Sequence, residues 1–198
     1  NATVGLMFEQ IDWLVNMGKT DPEAELFFYY SGHGNNDDAT KEAYLLPVDI
    51  TGKNLKHGVK LDDLYKRLSE LSIKGAYVFL DACFSGAQRG DGMLASARGV
   101  AIKAKSATPQ GNMVVFSAAS GDETAYPYKE KGHGMFTYFL LKKLQEDKGR
   151  TSYKKLAEYI AENVKQKSLD LNGKIQSPTV QTSLSKDVWE DWRLDKED

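Results

Sequence analysis

Leu26-Phe27-Phe28-Tyr29-Tyr30-Ser31-Gly32-His33-Gly34 is the stretch on which the fold turns. Five apolar, mostly aromatic residues run without a break and stop at Ser-Gly. A short apolar run bounded by turn residues reads as a strand buried on both faces, the mark of a parallel sheet. A second run, Tyr77-Val78-Phe79-Leu80, leads into Asp81-Ala82-Cys83-Phe84-Ser85-Gly86, and Val114-Val115-Phe116 makes a third. Helical spacing fills the intervals. Val4, Met7, Phe8, Ile11, Leu14 and Val15 predict one helix, with Gly18 as its stop. Leu61, Leu64, Leu68 and Leu71 predict a second, and Phe136, Phe139, Leu140 and Leu144 a third. A fourth carries Tyr153, Leu156, Ala157, Ile160 and Val164, with Thr151 or Ser152 as N-cap. Ala43–Leu46 is a short extended piece ended by Pro47, and Thr179–Thr182 predicts a last edge strand. Strands alternating with helices imply a layered α/β domain with a mostly parallel sheet.

Composition bounds what this domain does. The 198 residues are 41% hydrophobic and 27% charged, which fits one folded domain and not a disordered chain. We expect that domain over residues 1–188, with 189–198 as a charged surface extension. Lys and Arg number 26 against 28 Asp and Glu, so the charge gives no reason to expect a nucleic-acid or anionic-membrane partner. No apolar run approaches the ~18 residues a membrane-spanning helix needs. The chain opens on Asn1 without a Met, so it reads as a fragment and assigns no compartment. Residues 86–110 are rich in Gly, Ala, Ser and Lys without apolar periodicity. A loop that long is usually functional or disordered.

In open α/β sheets, sites form at the carboxyl ends of the strands. Two ends here carry reactive groups: His33 just past the first strand and Cys83 just past the second. A lone cysteine is more often a small buried hydrophobe than a nucleophile, and the single Cys of this chain excludes an internal disulfide framework. What raises Cys83 above that reading is its rigid strand end beside a second strand end bearing an imidazole, the pairing that nucleophilic catalysis requires.

Tyr-Ser-Gly-His-Gly at 30–34 and Asp-Ala-Cys-Phe-Ser-Gly at 81–86 resemble the His and Cys motifs of the caspase-like cysteine peptidases, and more closely those of their metacaspase branch. Cys83 follows His33 by 50 positions; a separation of about 50 is a known caspase pattern, which this chain matches. Val115–Ala118, Gly134–Tyr138 and Gln176–Thr179 are similar to later landmarks of the same branch. The resemblance implies a three-layer sandwich with Cys83 as nucleophile and His33 as acid/base partner. It also implies an oxyanion hole from the backbone N–H groups of Gly34 and Cys83. Family members begin with a strand, a helix and usually a second strand before the segment equivalent to residues 1–15. An N-terminal segment of the same domain is therefore expected to accompany this chain.

Asp81 stands where caspases hold a neutral Gln at the floor of the pocket for the residue before the cut bond. A carboxylate there implies cleavage after Arg or Lys, as in metacaspases, with Ser31 lining the same pocket and Asp122 as a further candidate. The competing reading is that Asp81 merely caps a turn. Arg89, Arg98, Lys103 and Lys105 follow Cys83 in the long loop, so the resemblance implies maturation by self-cleavage there, at Arg98, Lys103 or Lys105. His133, also 50 positions from Cys83 and flanked by glycines, follows a polar loop and reads as helix entry, while His57 reads as an exposed loop residue. A zinc site from His33, Cys83 and His133 lacks short ligand spacing. No cofactor is expected to be required. Some metacaspases need Ca²⁺, and Asp49, Asp62, Asp63 and Asp91 lie at comparable positions, but Asp62 and Asp63 equally suit a helix N-terminus, so no ligand is assigned. Expected partners are protein or peptide substrates with a basic residue before the cut. The alternatives are a latent caspase-like hydrolase and a catalytically silent caspase-like interaction module.

Overall fold

The computed structural model describes residues 1–37, 39–84, 108–121 and 123–194. In chain order the elements are α1 (Val4–Thr20), β1 (Glu25–Ser31), β2 (His33–Asn36), β3 (Ala43–Leu46), a 3-10 segment (Gly52–His57), β4 (Val59–Lys60), α2 (Leu61–Ser69) and β5 (Gly75–Asp81). There follow β6 (Met113–Ser117), β7 (Pro127–Tyr128), a 3-10 turn (Lys129–Lys131), β8 (His133–Gly134), α3 (Met135–Asp147), α4 (Tyr153–Asn172), β9 (Thr179–Thr182) and α5 (Lys186–Trp189).

The main sheet has the order β1-β5-β6-β9. β1, β5 and β6 run parallel, and β9 joins β6 antiparallel as the expected edge strand. Side chains alternate across the sheet, and the two faces bury different cores. Ala76, Val78, Leu80, Met113 and Val115 pack with Met7, Ile11, Val15, Leu64 and Leu68 of α1 and α2. Tyr77, Phe79, Val114 and Phe116 pack with Phe136, Phe139, Leu156 and Ile160 of α3 and α4. Helices on both faces of a mostly parallel sheet make the three layers that the alternating elements imply.

Three sequence expectations are corrected. The strand buried on both faces is β5, in which every residue is buried. β1 alternates instead, with Phe27 and Tyr29 about half exposed, because among the described residues it has a sheet neighbour on one side only. Gly18 does not stop α1; it is buried inside the helix, against the tips of Leu71 and Leu26, and the helix runs on to Thr20. His33 lies just past β1, where the sequence puts it, and opens β2, which forms an antiparallel sheet with β3 and β4. The segment from Trp189 to Leu194 is not a free extension. Trp189, Trp192 and Leu194 pack on the α3/α4 core, the Trp192 carbonyl accepts from the Tyr153 N–H at 2.8 Å, and Lys154 pairs with Glu190 at 2.9 Å. Of the two N-cap candidates for α4, Ser152 does the capping, accepting from the Lys155 N–H.

Candidate active site

The register of β1 against β5 builds the site. The pairing runs without a slip from Glu25 with Gly75 to Ser31 with Asp81, a constant offset of 50 residues. Two residues beyond that last pair the chain carries His33 and Cys83, each just past the carboxyl end of one of two neighbouring strands about 4.8 Å apart. The 50-residue spacing of the two motifs is the register of these strands.

Contacts tie the two motifs together. The Gly32 N–H donates to the Asp81 carbonyl at 3.2 Å, and the Asn36 amide donates to the Phe84 carbonyl. Gly34 lies so close to the Cys83 segment that a Cβ there would sit 2.7 Å from the Cys83 carbonyl oxygen and 2.5 Å from the Phe84 ring. Its backbone φ is not the special feature; the space is. The Tyr30 hydroxyl lies 2.8 Å from the His33 carbonyl and 2.9 Å from that of Leu46, pinning the turn that presents the imidazole.

The two reactive side chains differ in exposure. His33 is exposed, whereas Cys83 is 4% exposed and belongs to the α3/α4 core. Its sulfur accepts the Ala125 N–H at 2.9 Å and lies 3.5 Å from the Ala125 carbonyl oxygen. Ala125 carries no signal in the sequence, and neither does the clamp that holds it. Buried Gln176 accepts the Tyr126 N–H and donates to the Ala118 carbonyl, both at 2.8 Å. The Glu123 carboxylate accepts the N–H and hydroxyl of Ser177 at 2.6 and 2.9 Å. Gln176 and Ser177 stand out in the sequence only as a landmark without a role; these contacts give them one.

Asp81 is placed differently from a residue on an open pocket wall. It is fully buried, and its Oδ2 accepts the Thr137 N–H at 3.2 Å and the Thr137 hydroxyl at 2.5 Å. The carboxylate thus caps the first turn of α3, in agreement with the capping alternative and on a helix instead of a turn. The cleft beside the site, about 850 Å³, is lined by Ser31, His33 and Gly34 but not by Asp81, and it continues along Phe28 and Tyr30 to Leu6 at the start of α1. His133 lies in β8 at the entrance to α3, paired with Tyr128, as the helix-entry reading expects. Burial pushes the phenols of Tyr77 and Tyr153 far above their ordinary range, so both keep their protons.

Asp49 accepts the Val4 N–H at 2.9 Å at the start of α1, and Asp62 and Asp63 occupy the first turn of α2. Among the described residues no three His, Cys, Asp or Glu side chains converge as metal ligands would, so His33, Cys83 and His133 form no zinc cluster. Asp91, Asp122 and the self-cleavage candidates Arg89, Arg98, Lys103 and Lys105 lie outside the described residues. No described helix is long and apolar enough to cross a membrane.

The caspase domain family matches residues 1–189, almost the whole chain. The chain belongs to the caspase domain family. Solved structures agree at the level of architecture. Protein GSU0716 from Geobacter sulfurreducens superposes with a TM-score of 0.64 at 16% identity, covering 93% of this chain and 76% of that one. Caspase-1 from Spodoptera frugiperda superposes with a TM-score of 0.59 at 13% identity, covering 90% and 68%. No curated protein sequence matches the chain. Membership makes this caspase domain a relative of cysteine peptidases that act on protein substrates.

Proposed function

We propose that this caspase domain is a cysteine endopeptidase that cuts after Arg or Lys, with Cys83 as nucleophile and His33 as acid/base partner. The observation that supports the reading is the 50-residue register of β1 and β5, whose last pair, Ser31 with Asp81, stands two residues before His33 and Cys83.

The reaction runs in two halves. The Cys83 sulfur turns from Ala125 toward the substrate and attacks the carbonyl carbon. A C–S bond forms while the carbonyl π electrons move to oxygen. Backbone N–H groups of Gly34 and Cys83 meet that oxyanion; fixed donors suit the task because they need no reorganisation as charge develops. Collapse breaks the C–N bond, and His33 delivers the proton taken from the thiol to the leaving amine. Water, its proton accepted by His33, then attacks the thioester, releasing the acid and restoring the thiol. No cofactor takes part. Basic specificity rests on Asp81 and its register partner Ser31, which share one face of the sheet. It requires that a substrate cation reach a carboxylate that α3 also holds.

Peptides with Arg, Lys or Asp before the scissile bond, tested with Cys83→Ala as control, decide the reading. Release after Arg and Lys, abolished in the control, is expected. Release after Asp alone overturns the pocket assignment, and no release at all turns the reading to an interaction module. Self-cleavage within 89–105 is expected as the maturation step, visible by intact mass as fragments ending at Arg98, Lys103 or Lys105. A wild-type chain that stays whole on prolonged incubation removes it. Calcium dependence, known for some metacaspases, is a separate question that a chelator decides: activity unchanged by it excludes calcium activation.

A further inference from the structure

The odd-numbered residues of β1 and β5 share one face of the sheet. Phe27 stacks on Tyr77 there, and Cys83 continues the same side into the α3/α4 core. Tyr29 and Asp81 therefore look toward α3, and α3 answers with its first turn. Gly134, the N-cap position, has no side chain and so no capping group of its own. Asp81 supplies the missing acceptor from another strand, taking both donors of Thr137. Thr137 is itself buried, and its oxygen lies 2.8 Å from the Tyr29 hydroxyl. A threonine hydroxyl has one proton. With that proton committed to Asp81 at 2.5 Å, the Tyr29 hydroxyl donates to Thr137, and the three groups form a directed chain from Tyr29 through Thr137 to Asp81. Space is reserved as strictly as hydrogen bonds. A Cβ on Gly134 would overlap both carboxylate oxygens of Asp81, although the Gly134 backbone (φ −67°) suits any residue.

We propose that Thr137 is a specificity-positioning residue: the first turn of α3, through Thr137 backed by Tyr29 and with Gly134 leaving room, sets the Asp81 carboxylate that selects a basic residue before the cut bond. This rests on the reading of Asp81 as the selecting carboxylate. The seat holds the Oδ2 oxygen of the buried carboxylate, so a substrate cation that reaches it meets a group of defined orientation and not a freely rotating side chain. Its charge is also shared with the positive end of α3. A hydroxyl donated to an ionised oxygen is among the stronger hydrogen bonds in a protein, so its removal has a measurable effect.

The test compares kcat/KM on two peptides that differ only in Arg or neutral citrulline before the scissile bond. Thr137→Val keeps the shape and the N–H but removes the hydroxyl. The Arg-to-citrulline ratio is expected to fall about tenfold or more, the scale of one hydrogen bond to a charged group. Citrulline cleavage should change little. Thr137→Ser should restore the ratio, and Tyr29→Phe, at a half-exposed position that tolerates the change, should lower it in the same direction if Thr137→Val fails to fold. A ratio unmoved in Thr137→Val or Tyr29→Phe overturns the proposal, as does a parallel fall on both peptides, which a merely structural role gives. A wild type that does not prefer Arg overturns the reading of Asp81 and this proposal with it. A wild-type preference that survives the substitutions overturns this proposal alone.

Discussion

Gly34 has neighbours where any other residue keeps its Cβ, and those neighbours are the Cys83 carbonyl and the Phe84 ring. Gly34→Ala therefore strains the segment that carries Cys83. Overpacking of this kind costs about 1–3 kcal/mol, and a displacement of roughly 1 Å at reacting groups costs about a hundredfold in rate. A fall in kcat/KM of that order, with a modest loss in melting temperature, is the expected result; activity within about twofold of wild type contradicts the assigned geometry. Asp81 separates charge from capping in the same way. Asp81→Ala leaves the buried N–H and hydroxyl of Thr137 without their acceptor, at about 1–3 kcal/mol for each group, whereas Asp81→Asn retains an acceptor. Thermal melts should rank the wild type and Asp81→Asn above Asp81→Ala. Both variants should lose cleavage after Arg by about a hundredfold or more. An Asp81→Asn enzyme that still prefers Arg removes the carboxylate from specificity and leaves it a cap.

At the scale of elements, what the sequence made legible follows the strength of each local signal. β1 and β5 are apolar runs with turn residues behind them, so their ends, and hence His33 and Cys83, are located by local sequence alone. β2 has no comparable signal: His33, Gly34, Asn35 and Asn36 form no alternating pattern, and only pairing with β3 makes them a strand. Gly18 sits inside α1 because the helix packs closely on Leu26 and Leu71, a tertiary reason that a stop signal does not distinguish. The charged letters between 189 and 194 hid the two tryptophans that anchor that segment. The capping of α3 by Asp81 joins residues 56 positions apart; strand alternation puts Asp81 on the face of Tyr77 and Phe79, but which helix covers that face is not written locally. The Gln176 clamp is equally non-local, and it makes a prediction. Gln176→Leu strips partners from the Tyr126 N–H and Ala118 carbonyl, about 1–3 kcal/mol for each group left buried and unmet, with melting lowered by roughly 2–4 °C per kcal/mol. It also frees the stretch that lays Ala125 on the Cys83 sulfur, so alkylation of Cys83 by iodoacetamide should accelerate. Unchanged melting and alkylation together would remove the clamp from the site.

At the scale of the molecule, the sheet is asymmetric in its protection. β5 is buried throughout, but β1 pairs on one side only among the described residues, with Phe27 and Tyr29 at 45% and 50% exposure. Parallel strands in α/β domains are normally covered on both faces and flanked by neighbours, and an exposed aromatic edge is a template for another strand. The cleft of about 850 Å³ runs along this edge, past Phe28 and Tyr30 to the start of α1. These features suit the expectation that a preceding segment of the same polypeptide supplies a strand beside β1, and we propose that occupant. Hydrogen exchange resolves it, because an amide is protected according to the free energy of the opening that exposes it. In residues 1–198 alone, the peptide covering 25–31 should exchange faster than the one covering 75–81. Where the gene encodes residues before Asn1, a polypeptide carrying them should show exchange in 25–31 slowed by about tenfold or more, while 75–81 changes little. Equal exchange of 25–31 in the two polypeptides rules out a strand at that edge. The added strand would also complete the sheet edge beside Ser31 and His33, so the slowing should be accompanied by a higher kcat/KM on the Arg peptide.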